Sequence, residues 1–64
     1  MKVFGFYNKD NTRHKIIPLR NIRYCETKVS GDTNNYYIRV VGVDSPIEIS
    51  EETYSEATRV MESV

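Results

Sequence analysis

The hydrophobic period of the chain changes once, at Ser50, and this change limits the possible architectures. Before Ser50, apolar side chains recur mainly at every second residue, which is typical of half-buried β-strands. After it, in SEETYSEATRVMESV, they recur every three to four residues. Ser50 is a suitable N-cap, and two glutamates follow where the helix dipole favours anions. The sequence therefore predicts several strands followed by one helix over about residues 51–62. The apolar stripe of this helix comprises Tyr54, Ala57, Val60, Met61 and Val64.

Four or five strands are predicted before the helix, over about residues 3–8, 13–17, 22–27, 36–41 and 46–49. Asn8-Lys9-Asp10-Asn11 is turn-forming, so the first two strands are expected to form a hairpin. Pro18 has no N–H for a ladder and is expected to end the second strand or to lie at an edge. Residues 29–35 are predicted to be a polar loop. The expected fold is α+β: a small antiparallel sheet of four to five strands with one C-terminal helix packed on one face.

The small size of the chain favours association with a second copy. Sixty-four residues form one domain with a marginal core. Cys25 is the single cysteine, so no disulfide can form within a monomer, and a reduced or buried thiol is expected. One helix leaves one face and the edges of the sheet uncovered. We therefore expect a homodimer.

The fourth predicted strand assigns the candidate interaction residues. Its alternation places Tyr36, Ile38 and Val40 on one face, predicted to be the core. The opposite, open face then carries Tyr37, Arg39 and Val41. Tyrosine and arginine are favoured interface anchors. These three residues are the predicted centre of a surface that binds another protein.

Charge is unevenly distributed along the chain although the net charge is zero. Residues 1–28 contain seven Lys and Arg against two Asp and Glu, and residues 29–64 reverse these numbers. Such asymmetry is expected either of an anion-binding face or of two halves that attract each other in the fold.

The segment TRHKIIPLRNIRYC, residues 12–25, is the candidate for anion binding. Its cations Arg13, Lys15, Arg20 and Arg23 can neutralise phosphates while tyrosines stack on bases. The alternative is that they are the solvated side of strands whose apolar residues, Ile16, Ile17, Leu19 and Ile22, build the core. The pI of 6.6 is low for a nucleic-acid-binding domain, which favours this alternative.

Catalytic and metal-binding groups are scarce. The chain has one histidine, His14, and one cysteine, and nothing in their spacing predicts a nucleophile–base pair. One His and one Cys do not make a structural zinc site, and no phosphate-binding glycine run occurs. The glutamates after Ser50 are explained by the helix dipole. We expect neither an enzyme, nor a metal, nor a cofactor.

Membrane and secretion signals are also not expected. No apolar run approaches the roughly 18 residues of a membrane span, and the start MKVFGFYNKD lacks the features of a signal peptide. We expect a cytoplasmic protein of bacterial or phage origin with no membrane partner.

Three segments, IIPLRNIRYCET, YYIRVVG and IEISEETYSEATRVM, occur in an order that resembles the first half of LytTR-type DNA-binding domains. The order is also similar to that of FlbD-type flagellar proteins and of short phage proteins that combine a β-sheet with a helix. The likeness covers residues 16–61 and includes an Ile-x-x-x-Glu strand, here Ile22 to Glu26. It implies the sheet-plus-helix architecture. A LytTR-type domain has a second β-rich half that has no counterpart in this sequence, so no DNA-contacting residue is carried over.

The sequence therefore predicts a small non-enzymatic protein-interaction module, an accessory or regulatory protein that binds another protein through its open sheet face or edge. The alternative is a nucleic-acid-binding regulator that uses the basic segment 13–23.

Overall fold

Five strands and one helix make up the part of the chain that the computed structural model describes, residues 2–63. The elements are β1 (Val3–Tyr7), β2 (His14–Pro18), a short 3-10 helix (Leu19–Asn21), β3 (Ile22–Ser30), β4 (Thr33–Val40), β5 (Ile47–Ile49) and α1 (Glu51–Glu62). The α+β class and the C-terminal helix are confirmed. The predicted single sheet is divided into two antiparallel sheets, β1-β2 and β3-β4-β5.

The turn between β1 and β2 is organised by one asparagine, as its composition predicts. The side-chain oxygen of Asn8 accepts hydrogen bonds from the backbone N–H groups of Thr12 at 2.9 Å and Arg13 at 3.1 Å. Asn11 adopts a left-handed conformation with φ of 57°, which asparagine tolerates better than most residues. The hairpin places Phe4 and Phe6 on its buried face.

The second hairpin is longer than the sequence indicates. β3 and β4 remain paired from Ile22 and Val40 to Ser30 and Thr33, with only Gly31 and Asp32 between the strands. Gly31 has φ of 59°, as the first central residue of a type II′ turn requires. The predicted polar loop over 29–35 is therefore wrong. This end of the hairpin is polar because both of its faces are largely exposed, so no hydrophobic alternation marks its strands.

One core joins the two sheets and the helix. Ile38 and Ile49 are fully enclosed, and Ser50 caps α1 by accepting the backbone N–H of Thr53 at 3.2 Å. The predicted cap and the inward face of β4 are therefore confirmed, whereas Val64 of the predicted stripe lies outside the described residues. The buried core residues are Phe4, Phe6, Ile22, Ile38, Val40, Ile49 and Ala57.

One residue that was predicted to lie in the core, Ile16, lies on the solvent-exposed face of β2. Ile16 is 65% exposed, whereas Ile22 is buried and Ile17 and Leu19 are partly buried against the core. Ile16 lies opposite Gly5 in the register, on the outer face of the β1-β2 hairpin. The phase of β2 is set by pairing with β1, whose phenylalanines point inward.

The two sheets are linked at the end of β1. The backbone N–H of Lys9 donates to the carbonyl of Glu48 in β5 at 3.0 Å. At the other end of the fold, Val41 donates its N–H to the carbonyl of Asn21 at 2.8 Å. None of the helical structure within residues 2–63 is long and apolar enough to cross a bilayer.

Candidate functional site

The candidate site is the face of the β3-β4-β5 sheet that points away from α1. Ile38 is buried against the helix side, so its neighbours Tyr37 and Arg39 lie on the opposite side. The strand register then brings other side chains beside these two. We define the open face as Tyr24, Glu26, Tyr37, Arg39 and Glu48.

Tyr37 lies at the centre of the open face. Its cross-strand neighbours are Glu26 on β3 and Glu48 on β5, so two acidic residues flank Tyr37 in the strand register. The side chain of Tyr37 is half-buried. Directly opposed residues of an antiparallel sheet interact, and this arrangement gives an aromatic platform with an acidic border.

Arg39 is held in place by one hydrogen bond. Its Nη1 donates to the backbone carbonyl of Asp44 at 3.0 Å, and Tyr24 lies opposite it on β3. Within residues 2–63, Nε of Arg39 is buried without an acceptor. An unsatisfied buried donor reduces stability.

Glu48 makes the only ion pair within residues 2–63, with Lys9 at 3.1 Å. Lys9 belongs to the basic first half of the chain and Glu48 to the acidic second half. This contact is the one place within the described residues where the two halves form an ion pair. Both side chains remain largely exposed, at 52% and 40%, which limits the energy of the pair.

Of the three predicted interaction residues, Tyr37 and Arg39 lie on the open face and Val41 lies just beyond the end of β4. Val41 is 56% exposed. Sequence reasoning missed Tyr24, Glu26 and Glu48 as neighbours. Alternation within each strand was visible, but the register that brings the strands together was not.

The four candidate cations do not form one cluster. Arg13 precedes β2, and Arg20 lies in the 3-10 helix that follows β2. A five-residue strand separates them, which corresponds to roughly 17 Å. Lys15 is half-buried on the face of β2 that carries Ile17, and Arg23 is exposed at the irregularity near the start of β3.

The single histidine and the single cysteine lie in different environments. The ring of His14 packs on that of Tyr7 with centroids 4.7 Å apart, on the outer face of the hairpin. The Cys25 sulfur lies 3.9 Å from the Met61 sulfur, on the helix side of β3. Burial raises the pKa of the Cys25 thiol, which disfavours the reactive thiolate. No hydrogen bond within the described residues links this thiol to His14.

A second tyrosine forms a contact with the start of the helix. Tyr36 donates its hydroxyl to Glu51 at 3.0 Å, and its ring lies 5.0 Å from that of Tyr54. The hydrogen bond to Glu51 raises the pKa of Tyr36 above its ordinary value. Tyr36 therefore joins β4 to α1 and does not contribute to the open face.

No group of three or more His, Cys, Asp or Glu side chains within residues 2–63 is placed to hold a metal ion. Comparison of the chain with protein-family models, with curated proteins and with solved structures found no match. The resemblance to LytTR-type and FlbD-type proteins stays a prediction.

Proposed function

We propose that this protein is a small non-enzymatic interaction module that binds another protein through the open face. The observation that supports the proposal is the central position of Tyr37 between two glutamates in the strand register, beside Arg39, on a face that α1 does not cover. A rigid aromatic ring with charged groups around it is typical of an interface hot spot.

The charges of the open face indicate the chemistry of the partner. Glu26 and Glu48 flank Tyr37 in the strand register, and Arg39 lies two residues farther along β4. A complementary surface carries an apolar group that packs on the Tyr37 ring, a basic group for the carboxylates and a carboxylate for Arg39. Such complementarity determines specificity and association rate more than total affinity.

The experiment selects peptides from a displayed random library with the wild-type protein and maps the best binder by amide-resolved NMR. Shifts are expected on β3, β4 and β5 around Tyr37. The variant Tyr37→Ala is expected to lose roughly 30-fold in affinity or more, as at a hot spot. Ile16→Ser is the matched control, because Ile16 is exposed on the other sheet. Binding that Tyr37→Ala leaves unchanged would contradict the proposal.

A parallel titration with mixed-sequence duplex and single-stranded DNA, at low and then moderate salt, tests the basic residues. Electrostatic binding to nucleic acid weakens steeply as salt increases. Under the proposed function no salt-sensitive shifts are expected at Arg13, Lys15, Arg20 or Arg23. Shifts at these four residues would instead support a nucleic-acid-binding regulator.

A further inference from the structure

The outer edge of β3 has no partner strand within the described residues. β3 is the terminal strand of its sheet and pairs only with β4. The register is irregular between Ile22 and Tyr24, which makes Arg23 the extra residue, and Gly31 begins the turn. A continuous edge of seven residues, Tyr24–Ser30, remains between these two interruptions.

The two-residue turn determines which backbone groups of this edge are free. Ser30 and Thr33 flank the turn and form a hydrogen-bonded pair, and such pairs alternate along an antiparallel ladder. The even-numbered residues from Tyr24 to Ser30 therefore direct their N–H and C=O groups to β4. Cys25, Thr27 and Val29 direct theirs outward, to the free edge.

The composition of Tyr24–Ser30 gives it little protection from pairing. Natural edge strands are often short, carry proline or isolated lysines, or are covered by another element. This edge is long and lacks proline, and its one lysine, Lys28, is two residues from Glu26. Neither of these charges takes part in an ion pair within residues 2–63. Val29 is 69% exposed on the same strand.

The charges and the length of the edge select one symmetric register. Two copies of Tyr24–Ser30 overlap completely only when Thr27 faces Thr27 of the second copy. Glu26 then faces Lys28 of the second copy, twice by symmetry, in the non-hydrogen-bonded positions where side chains are closest. Shifting the centre to Glu26 or to Lys28 shortens the overlap to five residues and opposes two like charges.

We propose that β3 is a homodimerisation edge, in which two copies pair antiparallel with Thr27 at the two-fold axis. Cys25 and Val29 of each copy exchange backbone hydrogen bonds with the Val29 and Cys25 of the other, and the exposed Val29 gains an apolar neighbour. The result is one six-stranded sheet, with the open faces of both copies on the same side. This inference is independent of the proposed function, because a monomer can also bind a partner through the open face.

The first experiment exchanges the two charges and measures the dimer dissociation constant by sedimentation equilibrium. Lys28→Glu and Glu26→Lys each place like charges opposite one another, and each is expected to weaken the homodimer at least about tenfold. A mixture of the two variants is expected to form heterodimers, because every facing pair is then of opposite charge. The double variant, Glu26→Lys with Lys28→Glu, is expected to restore dimerisation.

The second experiment tests the register by disulfide formation under mild oxidation. Facing residues have Cα atoms about 5.5 Å apart, within the range for a disulfide. Thr27→Cys, made together with Cys25→Ser, is expected to give a covalent dimer. The wild-type protein is the control, because its two Cys25 residues are offset along the strands by roughly 13 Å and should remain reduced.

Three results would overturn the proposal. They are a wild-type protein that stays monomeric up to about 1 mM, a dimer that neither charge variant weakens, and cross-linking through Cys25 but not through Thr27→Cys. The open face and the edge share Tyr24 and Glu26, so the two ideas are separated by variants outside this overlap. Tyr37→Ala tests the open face without changing the edge, and Lys28→Glu and Thr27→Cys test the edge without changing the open face.

Discussion

Lys9 and Glu48 are joined twice, once through the backbone and once through the side chains. The Lys9 N–H donates to the Glu48 carbonyl at 3.0 Å, and the Lys9 Nζ lies 3.1 Å from Glu48 Oε2. The two residues are 39 positions apart in the sequence and lie where the β1-β2 hairpin meets β5. Of these two contacts the backbone bond is expected to contribute more, because the side-chain pair is exposed to solvent.

Removing the side-chain pair is therefore expected to change stability little. Glu48→Gln should lower the free energy of unfolding by less than about 1 kcal/mol, as for other exposed pairs. Lys9→Pro removes the N–H donor and should cost more than Lys9→Ala. Urea unfolding of the three variants, followed by circular dichroism, tests this order. Equal losses for Lys9→Ala and Lys9→Pro would show that the backbone bond is unimportant.

Two isoleucines, Ile38 in β4 and Ile16 in β2, are expected to respond differently to the same substitutions. Ile38→Val removes a methylene from a fully buried side chain and should cost about 0.5–1.5 kcal/mol, and Ile38→Ala about 2–5 kcal/mol. Ile16→Val and Ile16→Ala should each cost less than about 0.5 kcal/mol, since Ile16 is exposed. Chemical unfolding of the four variants measures the contrast. Similar losses at the two positions would place Ile16 in the core.

Alanine substitution is expected to destabilise the protein at Gly31 but not at Gly5, because, of the two, only Gly31 has a left-handed backbone conformation. Gly31 has φ of 59°, so Gly31→Ala should cost about 1–2 kcal/mol although space is available. A Cβ at Gly5 would lie 3.6 Å from the Nε2 of His14 and from the Cγ1 of Ile16, which are ordinary contacts. Gly5→Ala should therefore be neutral or stabilising. Thermal unfolding of both variants provides the test, and a destabilised Gly5→Ala protein would contradict it.

The partly buried thiol of Cys25 predicts a loss of stability in alkaline solution. Burial raises the pKa of Cys25 in the folded state, so the unfolded chain loses this proton first as pH increases. The contribution is fully present below the unfolded pKa of about 8.5 and is lost as pH rises through the folded-state value. Its slope cannot exceed about 1.4 kcal/mol per pH unit.

The measurement compares the wild-type protein with Cys25→Ala by urea unfolding between about pH 7 and pH 10. As pH increases, the free energy of unfolding of the wild-type protein should fall relative to that of Cys25→Ala. A difference that stays constant over this range would show that the thiol is as accessible to water in the folded state as in the unfolded chain.

The sequence predicted the helix well because its signals are local. The cap at Ser50 and the stripe through Ala57 are read from neighbouring residues, and the predicted bounds of 51–62 agree with α1. The face of β2 that points to the core could not be predicted from neighbouring residues. Ile16 and Ile17 are adjacent and equally apolar, and only pairing with β1 decides which of them faces the core.

The candidate site was predicted only within one strand. Alternation in β4 placed Tyr37 and Arg39 on a common face, which the structure confirms. Their neighbours on β3 depend on the irregularity between Ile22 and Tyr24, which places Ile22 and Cys25 on the same side of the sheet. Such an irregularity has no clear sequence signal, so the pairs across strands could not be predicted.

The two-residue turn at Gly31 also determines which amides of β3 are hydrogen-bonded in the monomer, and these alternate along the sequence. In a monomer, the N–H groups of Glu26 and Lys28 are bonded to β4 and should exchange slowly with deuterium. Those of Thr27 and Val29 face water and should exchange almost as fast as in a peptide. Protection that appears at these odd-numbered amides as the protein concentration increases would trace the free edge one residue at a time, without any substitution.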